Sequence, residues 1–185
     1  MHRLVIAFAI VAANSALAAP VLSIEPSITL VQRFQTFELG VDISGVDDLY
    51  SYQLDIAFNP SLLQANAVTE GPFLPSGGPT LFTPFMIDNV GGTITFIGGL
   101  LLGMVPGVSG SGNLAMLSFT SGARYGTSPI IISQTLLNDS SGNPIVPADP
   151  VNGMVKVVPE PASVWLMGAA ISALVLRYRR LSALN

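Results

Sequence analysis

The chain predicts an all-β sandwich built from many short strands, set between two apolar end segments. Three observations carry this. Between Phe37 and Phe58 apolar and polar residues alternate with period two. Similar short runs recur as far as Val158, separated by clusters of Gly, Pro, Asn and Ser. Between the end segments no stretch shows the 3.6-residue spacing of an amphipathic helix.

The front segment comes first. Met1-His2-Arg3 is a short basic start, Leu4 to Ala13 is almost wholly apolar, and Ala16-Leu17-Ala18 has the small-x-small pattern that signal peptidase cuts after. Cleavage there makes Ala19 the new N-terminus. The apolar run is too short to span a bilayer, so residues 1–18 read as a removed signal peptide and not as an anchor.

In the middle, Phe37, Leu39, Val41 and Ile43 alternate with Glu38, Gly40, Asp42 and Ser44; Tyr50, Tyr52, Leu54, Ile56 and Phe58 alternate with Ser51, Gln53, Asp55 and Ala57. Such strands bury one face and wet the other, as in antiparallel sheets. Gly45 to Leu49 reads as a short loop between them. Asn59-Pro60-Ser61 ends the second strand, and Leu62 to Val68 resumes an extended or briefly helical path. Gly71 to Pro84, rich in Gly and Pro, predicts an irregular connection. Thr80 to Asp88 and Thr93 to Gly98 flank Asn89-Val90-Gly91-Gly92, a hairpin turn. Gly103 to Gly112 reads as another glycine-rich loop. Strands follow at Leu114 to Thr120, Ile130 to Leu136 and Val151 to Val158. The sequence shows no internal repeat.

At the rear, Val158-Pro159-Glu160-Pro161 precedes an apolar run from Ala162 to Leu176 and then Arg177-Tyr178-Arg179-Arg180. As a helix the run gives about 22 Å at ~1.5 Å per residue, short of a hydrocarbon core of ~30 Å. Trp165 suits one interface, and Arg177, Arg179 and Arg180 stop the segment on the cytoplasmic side, so the main domain faces out. This order of motif, short helix and basic cluster, over residues 158–181, resembles the PEP-CTERM sorting signal of Gram-negative bacteria. The resemblance implies an exosortase partner, export through the inner membrane and delivery to the cell surface or extracellular matrix after a transient membrane stage. An ordinary uncut membrane anchor is the other reading of the same residues.

Composition excludes much chemistry. Between Glu25 and Glu160 stand all eleven acidic residues but only Arg33, Arg124 and Lys156 as cations, a balance of −8. An acidic surface disfavours nucleic-acid phosphates and anionic lipid. There is no cysteine, and the one histidine, His2, leaves with the signal peptide. The mature chain therefore lacks a Ser-His-Asp or Cys-His nucleophile and an imidazole or thiolate metal site. Without disulfides the exported domain rests on its core, and about 140 residues suffice for one.

Several stretches of the middle resemble the cohesin family. Tyr52-Gln53-Leu54-Asp55-Ile56-Ala57-Phe58-Asn59-Pro60-Ser61-Leu62-Leu63 is similar to a cohesin strand ending in Asp/Asn-Pro before a Leu-rich bend. Gly91-Gly92-Thr93-Ile94, Val108 to Ala115 with Phe119, Asn138 to Ile145 and Gly153-Met154-Val155-Lys156-Val157 follow in the family's order and spacing. The resemblance spans Leu22 to Val158. It implies a jelly-roll sandwich of about nine strands over residues 19–157 that binds and does not catalyse. In cellulosomes such modules hold calcium-loaded dockerins and so organise polysaccharide-degrading enzymes. The resemblance puts the partner face on the strand carrying Ser51, Gln53 and Asp55. Two differences are visible: Arg33-Phe34-Gln35 where cohesins usually have a Gly-Asp turn, and Ser51 and Gln53 where they often have Asn and Asp.

Other candidates compete with that reading. A carbohydrate-binding or structural matrix protein, linked to exopolysaccharide or biofilm, would use exposed rings to stack on sugars. Of Tyr50, Tyr52, Phe73, Phe82, Phe85 and Tyr125, the first two share the inward parity of their strand, and Phe82 and Phe85, near a Pro-rich loop, are the better candidates. A glycosidase would need two carboxylates about 5 to 9.5 Å apart, from Asp42, Asp55, Glu70 or the pair Asp47-Asp48. That pair reads better as a solvated loop. Asn138-Asp139-Ser140-Ser141-Gly142-Asn143 superficially resembles a calcium loop and would at most bind a weak structural calcium, since the glutamate of an EF-hand is missing. A plain turn accounts for its composition. No cofactor is expected.

Overall fold

The computed structural model describes residues 18–83 and 85–159. They form β1 Val21–Glu25, β2 Ile28–Val31, β3 Thr36–Ala57, β4 Leu63–Glu70, a 3-10 turn Leu74–Gly77, β5 Thr80–Phe82, β6 Met86–Asp88, β7 Thr93–Leu101, β8 Val108–Ser121, β9 Gly126–Asp139, β10 Pro144–Ile145 and β11 Gly153–Val157. All are linked by one ladder, which β3 folds into two layers. The first half of β3 lies between β1 and β8, and β8 carries β4 on its other side. The second half lies between β7 and β9; β9 continues onto β11, and β11 pairs in parallel with β2.

The all-β expectation holds, with differences in detail. Gly45 to Leu49 is a corner within β3 and not a loop. Gly45 (φ 67°) and Asp48 (φ 56°) turn the chain over, while Val46 and Leu49 stay paired with Gly110 and Val108 and bury their side chains. The irregular ladder leaves two amides there for side chains to take: Ser111 Oγ accepts Gly45 N at 3.1 Å and Ser109 Oγ accepts Asp48 N at 3.0 Å. Those serines pull Val108 to Gly112 out of the expected glycine-rich loop and into β8. Leu63–Glu70 is fully extended because it pairs along β8. The run expected from Thr80 to Asp88 is divided into β5 and β6, both on β7. β1 and β2, each short, lack the long alternation that marks β3.

The turn after β6 forms as expected. Asp88 Oδ1 accepts the amides of Val90 and Gly91 at 2.8 and 2.9 Å. Gly92 takes φ 74°, and a Cβ there would meet Phe58 O at 2.3 Å, so only glycine fits.

A single cluster of buried apolar side chains fills the space between the layers. Phe119 of β8 lies at its centre, with Phe37 stacked at 5.9 Å and Phe58 edge-on at 5.3 Å between ring centroids. Phe58 follows the second half of β3, so this contact joins the two layers. Tyr52 crosses too: its hydroxyl donates to Leu114 O at 2.6 Å. Burial, and secondarily the charge of Glu70, raises the Tyr52 phenol and keeps that donor protonated.

Candidate binding face

Alternation along β3 decides what the second layer shows to solvent. Tyr52, Leu54 and Ile56 point inward and are at most 3% exposed, so Ser51, Gln53, Asp55 and Ala57 point outward. The registers assemble the surface row by row. Leu81, Leu100, Ser51 and Asn138 form the first row, across β5, β7, β3 and β9. Gly98, Gln53 and Leu136 form the second. Asp55 with Gln134, and then Ala57 with Ile131, complete it. Asn138 Nδ2 donates to Ser51 Oγ at 3.2 Å. A shallow depression of about 320 Å³ opens beside Gln53, Gln134, Thr135 and Leu136.

Asp55 has a structural task within this face. β3 and β7 slip register between Leu54 and Ile56, so Thr95 and Phe96 together oppose Asp55. Phe96 takes φ 60° and Asp55 Oδ1 accepts its amide at 2.8 Å. This β-bulge reverses the parity of β7: Ile94 and Ile97 are fully buried, whereas Phe96 is 51% exposed. Simple alternation would have buried Phe96 with Ile94. The ring therefore stands on the outer face next to Asp55, where no periodicity argument would place it. Leu81 and Leu136 are similarly exposed, at 52% and 53%. The face is a polar, nearly uncharged centre flanked by apolar side chains, the composition of protein interfaces.

Several other carboxylates build structure. Asp48 Oδ1 accepts Gly107 N at 2.7 Å and its Oδ2 accepts Ser140 Oγ at 2.6 Å, tying the β3 corner to the β7–β8 loop and the β9–β10 turn at one end of the sandwich. Asp47 Oδ1 accepts Ser109 Oγ at 2.6 Å. The stretch 138–143 is a closed turn: Asp139 Oδ1 accepts the amides of Ser141 and Asn143, and Oδ2 accepts Asn143 Nδ2. Asp42 accepts Asn113 Nδ2 at 2.7 Å, and Glu70 accepts Thr80 Oγ1 at 3.0 Å. Among the described residues no three His, Cys, Asp or Glu gather as a metal site.

These bonds set the acid response. The Ser140 hydroxyl, then the Gly107 amide, lower the carboxyl of Asp48; the Asn143 side chain, then its amide, lower Asp139; the Gly91 and Val90 amides lower Asp88. Each folded value lies below the ordinary 3.8. Their contribution is therefore complete above that value and fades as pH falls through the lowered ones. A thermal-melting series between about pH 6 and pH 2 should show the midpoint falling mainly below about pH 4. Asp48→Asn should lower the neutral midpoint and flatten that fall; an unchanged acid limb would show that the Asp48 bonds do not matter to stability.

Of the rings considered for sugar stacking, Tyr52 is core and Tyr50 is half-buried with its hydroxyl on Gly103 O at 2.6 Å. Phe82 and Phe85 lie 6.3 Å apart, partly buried against the core. Among the described residues the exposed rings are Phe34, Phe96 and Tyr125.

Ala18 and Ala19 are exposed, and the first built-in residue is Pro20, buried and accepting Ala148 N through its carbonyl at 2.8 Å. At the other end Val158 N donates to Val31 O, and Pro159 is exposed. Ala16, Glu160, Pro161, Arg177, Arg179, Arg180 and the expected rear helix lie outside the described residues. Among the described residues no helix is long and apolar enough to cross a membrane.

A folded-over β-sheet with an open outer face, polar at its centre and apolar at its flanks, presents a surface suited to binding. The cohesin domain pattern matches residues 34–157, and the chain belongs to that family, whose members are binding modules. The PEP-CTERM protein-sorting motif matches residues 157–180, marking the chain as an exported cohesin module. Among solved structures, a non-cellulosomal cohesin from the hyperthermophilic archaeon Archaeoglobus fulgidus aligns with a TM-score of 0.62 at 18% identity, over 79% of this chain and 96% of that one. The cohesin of a type I cohesin–dockerin complex from Clostridium thermocellum aligns with a TM-score of 0.62 at 16% identity, over 76% and 99%. A cohesin from Clostridium acetobutylicum gives 0.59 at 20%, over 76% and 92%. At these identities the likeness concerns the fold. No curated protein matches the chain.

Proposed function

We propose that this module, exported and sorted by its tail, holds a dockerin-type protein on the outer face of β5, β7, β3 and β9. Residues 1–18 act as a signal peptide cut between Ala18 and Ala19, residues 19–157 are the binding domain, and residues 158–181 are the sorting signal. Exposed Ala18 and Ala19 ahead of buried Pro20 support the first assignment. Exosortase reads Val158, Pro159, Glu160 and Pro161, while Arg177, Arg179 and Arg180 hold the tail at the membrane. The protein then works at the cell surface or in the matrix.

One observation carries the partner face: Phe96 and Leu136 stand exposed on either side of Gln53 on a flat, hydrogen-bonded sheet. Apolar anchors around a polar centre with one carboxylate, Asp55, suit a protein surface better than a charged polymer. Cohesin–dockerin complexes among the similar structures give the partner class.

The test is a pull-down from the organism's secreted fraction with calcium and with chelator, read by mass spectrometry. Recovery of a dockerin-bearing protein only with calcium, lost on Leu136→Arg, is the expected result. Recovery of none, with retention on insoluble glycan instead, would replace this reading with a matrix or carbohydrate-binding one.

A further inference from the structure

The three cations of the outward part are far apart in sequence, yet the fold brings them to one end. Val31 and Val157 are neighbours in the parallel β2–β11 pair, and Val157 also pairs with Gly126. The β2–β3 turn, the β8–β9 turn and the exit of the chain at Val158 therefore share one end of the sandwich. Arg33 lies in the first turn and Arg124 in the second. Lys156 stands one residue before the end of β11, opposite Leu30 and Thr127.

Exposed apolar side chains stand among them. Phe34 is 69% exposed, Leu30 64% and Tyr125 49%. The Arg33 guanidinium lies 4.9 Å from the Tyr125 ring centroid, so cation and ring are presented together. Hydrogen bonds fix the two turns to each other: Phe34 N donates to Ser121 O at 3.1 Å and Gln35 N to Ser121 Oγ at 3.0 Å.

Some of the carboxylates gather at the opposite end. Glu38 stands two residues inside β3 from the cationic end. Asp88 has its Oδ1 engaged by the Val90 and Gly91 amides. Asp47, Asp48 and Asp139 crowd the other end around Ser109, Gly107 and Ser140. Asp149 is there as well, since neighbouring Ala148 donates to Pro20 O beside the start of β1. All three cations of this acidic domain thus share one end, whereas Asp47, Asp48, Asp139 and Asp149 share the other, and Glu38 and Asp88 are carboxylates that lie toward the cationic end. The domain's net charge disfavours anionic lipid, but its tail-proximal end does not.

We propose that this end, with Arg33, Arg124 and Lys156 around Leu30, Phe34 and Tyr125, docks on an anionic lipid bilayer while the tail is still in place. Two things select that occupant. The surface combines cations with exposed rings and aliphatic carbon, the pairing that suits a headgroup layer. It also surrounds the point where the chain leaves the domain, with Val158 bound to Val31, directly before a segment of membrane character in sequence. The acidic far end is repelled, so the domain stands upright. That posture keeps Val158-Pro159-Glu160-Pro161 at the bilayer surface and turns the partner face sideways. The proposal rests on the reading that the tail enters the membrane.

The absence of cysteine permits a direct test with the full chain. Ala123→Cys and Ser141→Cys, both at exposed positions of opposite ends, are labelled with a polarity-sensitive dye. Each protein is reconstituted into nanodiscs of phosphatidylglycerol or phosphatidylcholine. Docking predicts a blue-shifted emission for the position-123 label in phosphatidylglycerol discs only. The shift should disappear at about 1 M salt, where the screening length falls to ~3 Å, and in an Arg33→Glu/Arg124→Glu/Lys156→Glu variant whose melting is cooperative. The position-141 label should be indifferent throughout. A chain that co-elutes with discs but shows equal emission at both positions, or a shift independent of lipid charge, overturns the docking alone. A chain that co-elutes with neither disc overturns the membrane reading of the tail and the docking with it. The salt arm uses no charge variant and decides the matter even if the triple variant does not fold.

Discussion

Phe119→Ala is expected to cost about 3–5 kcal/mol of folding stability, the usual range for emptying a large aromatic site in a packed core. Phe119 is fully buried and touches Phe37 of its own layer and Phe58 beyond the far half of β3. Its removal therefore opens a cavity where the two layers meet and takes away both ring contacts. Net stabilities of single domains are ~5–15 kcal/mol, and this one has no disulfide to limit its unfolded state. Urea denaturation should show a large fall in midpoint with an unchanged slope. Phe119→Leu, which keeps most of the volume, should lose distinctly less. Equal losses for the two variants would mean that ring geometry, and not filled volume, sets the cost.

Phe96→Ala is expected to weaken partner binding on the order of 30-fold, corresponding to a hot-spot loss of ~2 kcal/mol, while leaving the melting temperature nearly unchanged. The ring is half exposed on the outer face and is not among the side chains packed against the core, so little folding energy depends on it. Asp55→Ala should lower affinity by another route. It removes the acceptor of the Phe96 amide and frees the bulge that aims the ring. Titration calorimetry with the captured partner checks both. A Phe96→Ala protein that binds as well as the parent would move the partner off this face.

The strands of β3 were legible because each half is long, half-buried and strictly alternating. Phe37, Leu39, Val41 and Ile43, and then Tyr50, Tyr52, Leu54, Ile56 and Phe58, face inward in the structure as their parity requires. The turn Asn89 to Gly92 was legible from its composition, and the closed turn around Asp139 equally so. Where the reading departs, tertiary pairing is responsible. Gly45 to Leu49 and Val108 to Gly112 look like loops because glycine and serine dominate them; they become strand because each supplies the other's partners. The outward position of Ser51, Gln53 and Asp55 follows from parity; the exposed side chains beside them do not. Phe96, Leu81 and Leu136 were missed. Phe96 turns outward through a bulge that exists only where Asp55 of β3 meets β7, a contact 41 residues apart in sequence.

The sequence alone determined what kind of chain this is: all-β from its period of two, without Cys chemistry from its composition, and marked for sorting by the motif of its tail. These are local properties, held by neighbouring residues, and survive without knowledge of any distant contact. Only the tertiary structure decided how charge and apolar surface are arranged. The −8 balance of the outward part reads in one dimension as a uniformly acidic surface; in three dimensions Arg33, Arg124 and Lys156 share one end. The reason is that β2 and β11 run in parallel and β9 begins beside them, so residues more than 120 positions apart finish on the same surface.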